Sequence, residues 1–76
     1  MSAFKFKEID SKTLKKVGLN YETELNVYAI ISVQDVSIRD SIKYHYDMST
    51  KKLTLLGYHP TGHKIKIGYV PEEVES

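Results

Sequence analysis

His59 and His63 stand four residues apart. On a helix that spacing would set both imidazoles on one face, as in zinc-binding pairs. Pro60 and Gly62 lie within the segment, so it is predicted as a turn and the two side chains as loop histidines. A metal centre needs three or four ligands in defined geometry. The third imidazole, His45, falls on a different predicted element. No metal and no cofactor is expected.

Acid–base chemistry needs a titratable group held in a cleft beside a partner. Asp35, Asp40 and Asp47 fall near predicted strand ends or loops, where Asp ordinarily caps turns. Glu22 and Glu24 share the solvated face of a predicted strand, opposite Leu25. No Ser lies in a nucleophile-elbow pattern and there is no Gly-rich phosphate loop. The chain has no Cys, which excludes thiolate catalysis, disulfides and cysteine-based zinc sites. The expectation is a protein that is not an enzyme.

Two surfaces are candidates for binding. The first is rich in tyrosine, a residue enriched at interface anchors because it is large, rigid and amphipathic. Tyr28 and Ile30 lie opposite the main hydrophobic stripe of their predicted strand, and Tyr44 and Tyr46 alternate on another. Tyr28, Ile30, Tyr44 and Tyr46 are the predicted partner-binding residues, provided that no other element covers Tyr28 and Ile30. The second is basic: residues 51–70 hold four Lys and no acid. Lysines contact phosphates and tyrosines stack on bases. Lys51, Lys52, Tyr58, His63, Lys64 and Lys66 therefore form the alternative, a nucleic-acid-binding surface. Tyr69 belongs instead to the predicted core face with Ile65 and Ile67.

These side chains need elements to carry them. Phe4 and Phe6 alternate with Lys5 and Lys7, the period of a half-buried strand. Asp10 or Ser11 is a cap for a short helix over 12–17, with Leu14 and Val17 inward and Gly18 ending it. Beyond Tyr21, Leu25, Val27, Ala29, Ile31 and Val33 mark one face of a central strand. Residues 41–58 are predicted as an antiparallel hairpin around the polar stretch Asp47 to Lys51. Ile65, Ile67 and Tyr69 mark a last strand, and Pro71 is placed to open a helical turn.

The 76 residues make one domain, with 41% hydrophobic and 28% charged residues, an ordinary folded composition. A domain this small buries only about 60% of the surface its unfolded chain exposes, so a ligand or partner meets its outer surface. The net charge of +1 does not suggest a dedicated nucleic-acid binder. No apolar leader is visible, and the longest apolar run, Val27 to Ile31, is too short to span a bilayer. No membrane association is expected, and the absence of Cys points to a cytoplasmic protein.

Lys66-Ile67-Gly68-Tyr69-Val70-Pro71-Glu72-Glu73-Val74 resembles the closing motif of HIRAN domains, a Gly-Tyr strand with an apolar-Pro step before a short helix. Tyr46-Asp47 is similar to the Tyr-Asp upstream of that strand in the family. The resemblance covers about a third of the chain. It implies a small β-barrel, and some HIRAN domains bind DNA ends. The family's Asn-Pro before and Asn-Ala after the Tyr-Asp are here replaced by the flanks Lys43-Tyr44-His45 and Met48-Ser49-Thr50, so no binding residue is carried over.

The expected fold is mostly β (α+β): a small antiparallel sheet or an SH3/OB-like barrel of about four or five strands in meander order, with one short N-terminal helix. The expected function is a protein-binding module that masks a partner protein. Its size suits an accessory or inhibitor protein of a mobile element. An unpaired edge strand is also a route to a homodimer.

Overall fold

A computed structural model describes residues 4–72 of the chain. Seven strands follow one another: β1 (Lys5–Asp10), β2 (Lys15–Val17), β3 (Asn20–Glu24), β4 (Ala29–Asp35), β5 (Tyr44–Asp47), β6 (Lys52–Leu55) and β7 (Lys64–Val70). They form two antiparallel sheets, one ordered β1-β7-β4 and the other β2-β3-β6-β5. The fold is mostly β, as expected, but it is not a closed barrel.

Alternation builds one core between the sheets. Val33, Ile65 and Ile67 come from the first sheet and Leu53 and Leu55 from the second, each at most 1% exposed. Ile9, Tyr21, Ile30, Tyr44, Tyr46 and Tyr69 pack around this centre. Burying each such aliphatic side chain stabilises the fold by about 1.5–3 kcal/mol.

The 41–58 hairpin forms as expected, with Asp47 pairing Lys52 and Tyr44 pairing Leu55. Its loop is held by Asp47, whose Oδ1 accepts the Ser49 and Thr50 amides at 2.9 and 3.4 Å. The loop closes with Lys51 in the left-handed region, φ 60°. The last strand also forms where alternation placed it.

The N-terminal helix does not form. Asp10 accepts the Lys12 amide at 2.9 Å and caps only a single 3-10 turn, Ser11–Thr13, and Leu14 is already extended. Lys15–Val17 then pairs with β3 as a hairpin. Gly18, at φ +64°, opens its two-residue turn instead of ending a helix. Leu14 is buried as expected, whereas Val17 is 46% exposed.

The continuous strand expected beyond Tyr21 is broken. Residues 25–28 cross from one sheet to the other between β3 and β4. A register shift between Ile30 and Ser32 then turns Ile31 outward and Ile30 inward. The meander order also fails: β7 lies between β1 and β4, and β3 pairs with β6. The helical turn expected after Pro71 falls largely on residues outside those described. No helix among the described residues is long and apolar enough to cross a membrane.

β1 forms, but its apolar side is not half-buried: Phe4 and Phe6 are 55% and 54% exposed. Phe6 sits directly across from Gly68 on β7. A Cβ added to Gly68 would stand 3.0 Å from the Phe6 ring and 2.8 Å from Ser32 Oγ. The missing side chain is what lets the ring lie over the strand.

Candidate functional site

The two sheets meet where β4 runs beside β5. At one end they are joined by backbone: the Ile42 amide donates to the Val33 carbonyl at 2.9 Å, next to an isolated bridge between Gln34 and Ser41. Towards the other end, tyrosine side chains span the gap. Tyr44 donates its hydroxyl to the Ile30 carbonyl at 3.2 Å. The Tyr46 hydroxyl lies 2.5 Å from the Leu25 carbonyl and 3.0 Å from that of Val27, and accepts the Val27 amide at 3.3 Å.

Above these rings an open groove of about 350 Å³ remains. The structure brings Tyr28, Ile30, Tyr44 and Tyr46 together on its walls, with Ala29, His45 and Met48. Ile30, Tyr44 and Tyr46 are half-buried and pack on the core. Tyr28 and Met48 form the exposed rim. Tyr44 and Tyr46 are thus pinned at both ends, by strand backbone and by hydroxyl, so little rotamer freedom is left to lose when a partner docks. In the sequence Met48 falls within the polar stretch of the hairpin loop. Its signal was adjacency to Tyr46-Asp47 at the end of β5.

The basic residues are not gathered in this way. Lys51 pairs with Glu72 at 2.9 Å, just past the end of β7, whereas Lys64 opens that strand. The two lysines therefore sit towards opposite ends of β7. Lys52 is 3.7 Å from Glu22. Lys64 and Lys66 oppose Asp10 and Glu8 on β1, and Lys66 Nζ lies 4.7 Å from the centre of the Phe6 ring. His63 is exposed in the loop before β7. Tyr58 is only 6% exposed, so its ring is not free to stack on a base. Its hydroxyl is turned inward.

That hydroxyl donates to the most buried charge among the described residues. Asp35, fully buried, ends β4. Its Oδ1 accepts the Ser37 amide at 2.8 Å and the Ser37 hydroxyl at 2.6 Å. Its Oδ2 accepts the Tyr58 hydroxyl, and the Thr61 hydroxyl at 2.8 Å. Burial pushes the carboxyl upward, but these donors outweigh it and hold it at about 2. Burial, and then the bond to Asp35, raise the Tyr58 phenol. Ser11, also buried, accepts the Gly62 amide on its Oγ at 2.9 Å, and its own amide donates to the His63 carbonyl at 3.1 Å. Asp35 and Ser11 together clamp the 58–63 loop. With every acceptor direction of Asp35 filled, the cluster is built to hold a loop rather than to take a substrate's proton.

Among the described residues no three His, Cys, Asp or Glu side chains stand where they could hold a metal ion. Compared with protein-family models, with curated proteins and with solved structures, the chain matches none. The likeness to HIRAN domains rests on the quoted segments alone.

Proposed function

We propose that this chain is a non-enzymatic protein-binding module that masks a partner by holding part of it in the groove between β4 and β5. The observation that carries this is the convergence of Ile30 on β4, Tyr44 and Tyr46 on β5, and Tyr28 on the crossover that leads into β4, on one open concavity. Fixed aromatic walls with an exposed aromatic and Met rim suit a protein surface, because Tyr and Met supply contact area without needing a charged counterpart.

Affinity capture from nuclease-treated lysate tests this. The expected result is a partner retained by the native chain and lost with Tyr28→Ala. Tyr28 is 57% exposed, so the substitution leaves the fold intact. Retention that vanishes on nuclease treatment, or that Tyr28→Ala does not affect, overturns the proposal.

A further inference from the structure

The two sheets have four edges, and they differ in how they are guarded. β1 carries Lys5 and Lys7 on the side that faces the core in its neighbour β7, and both stay exposed. β2 is only three residues long and begins Lys15-Lys16. Short edges and inward-pointing charges both discourage another strand from pairing. The remaining edges, β4 and β5, carry no Lys, Arg or Glu. Residues 29–34 of β4 are uncharged, and β5 bears no carboxylate before Asp47. Both border the groove, but β4 is already engaged there, its Val33 and Ile30 carbonyls accepting the Ile42 amide and the Tyr44 hydroxyl and its buried Asp35 pointing inward, so the unguarded edge is β5 along Tyr44 to Tyr46.

The direction of the β5 backbone follows from its ladder. The Leu56 amide donates to the Lys43 carbonyl at 2.8 Å, and the pairing continues as His45 with Thr54 and Asp47 with Lys52. In an antiparallel pair alternate residues turn their amide and carbonyl towards the partner strand. Lys43, His45 and Asp47 therefore bond β6, while the amides and carbonyls of Tyr44 and Tyr46 face the groove. Two donors and two acceptors line a concavity whose side-chain walls are apolar and aromatic.

We infer that the occupant of the groove is an extended segment of another protein, added antiparallel to β5 as a further strand. This rests on the binding function proposed above and names the partner's chemistry. Charge fixes the segment further. The walls bear no permanent charge, so the residues lying against them are uncharged. Exposed Lys43 stands at the N-terminal end of β5. An antiparallel segment meets it with its own C-terminal side, which places an acidic residue there.

The test uses the full chain and a display library of peptides about six residues long, the usual strand length. Their side chains are random but uncharged, and they end in either Asp or Lys. The expected outcome is enrichment of Asp-ending peptides. Such a peptide slows hydrogen exchange at the Tyr44 and Tyr46 amides by about tenfold or more, and N-methylation of its alternate nitrogens weakens binding by a similar factor. Peptides that shift the Tyr28 and Met48 resonances but leave those two amides unprotected overturn strand addition, and leave the groove standing as a binding site. Failure to select any peptide also overturns it, while the Tyr28→Ala capture judges the groove separately. Protection that rises with protein concentration in the absence of peptide overturns it in favour of a second copy of this chain.

Discussion

Tyr58 donates its hydroxyl to the carboxylate of Asp35, joining residues 23 positions apart at the boundary between β4 and the loop that leads into β7. The bond is one of four to that carboxylate, and it ties two groups of opposite pH response to the stability of the fold.

Asp35 has a carboxyl lowered from 3.8 to about 2. A lowered carboxyl stabilises the fold fully above its unfolded value, and that contribution is lost as pH falls from about 4 through 2. It amounts to about 2 kcal/mol. Urea unfolding at a series of acidic pH values should show this decline. Asp35→Asn should lower stability at neutral pH by about 3 kcal/mol, since the ring of hydroxyl donors then faces an amide, and should flatten the acid dependence. A variant as stable as the parent at pH 7 contradicts the clamp.

Tyr58→Phe should cost about 1–2 kcal/mol, the usual effect of stranding one acceptor of a buried carboxylate. The raised phenol acts in the opposite pH direction. Above pH 10 the unfolded chain ionises Tyr58 and the folded chain resists, so stability falls as pH rises. The phenolate absorbance of Tyr58, read as the difference between the parent and Tyr58→Phe, should appear at higher pH in the folded protein than after unfolding.

Gly68→Ala pushes a methyl group against Ser32 Oγ and the Phe6 ring. Phe6 is exposed enough to swing away, so a loss of about 1–2 kcal/mol is expected rather than failure to fold. Phe6→Ala alone should cost up to about 1 kcal/mol. The double variant should lose less than the sum, because each change removes what the other would strain. Strict additivity by denaturant titration would show that the ring does not rest on this glycine.

Arg39 holds φ 60° while its amide donates to the Asp35 carbonyl at 2.9 Å. Arg39→Gly keeps that bond and removes the left-handed strain. A gain of about 0.5–1 kcal/mol and a rise in Tm of a few degrees should follow. A fall in Tm would mean that the arginine side chain contributes more than its backbone costs.

The hairpin of β5 and β6 and the strand β7 were legible because their alternation is bounded by clear turns. Tyr21 to Val33 is only partly legible, since Leu25 and Val27 keep the period of two while the chain changes sheets, and the bulge turns Ile30 inward and Ile31 outward before Val33 returns to the expected core face. Gly18 misled for a related reason: a glycine at positive φ serves a helix end and a tight hairpin equally well. Asp35 was legible as a turn cap through Ser37, but its bonds to Tyr58 and Thr61 depend on a loop more than twenty residues away. Side-chain type and alternation point to the four groove residues, but not to one another. That Tyr44 reaches Ile30 and Tyr46 reaches residues 25–27 follows from the sheet order, which local pattern does not encode.

The central place of β7 has a consequence for the order of assembly. β1 and β4 have no bond to each other in the sheet, and each pairs with β7 alone. During synthesis the hairpins β2-β3 and β5-β6 can close as they emerge, while residues 5–10 and 29–32 wait unpaired until residues 64–70 have left the ribosome. Nascent chains shorter than this leave Ile9 and Val33 without Ile65 and Ile67, the residues they face in the finished sheet. That interval, rather than the finished domain, is where a chaperone has something to hold.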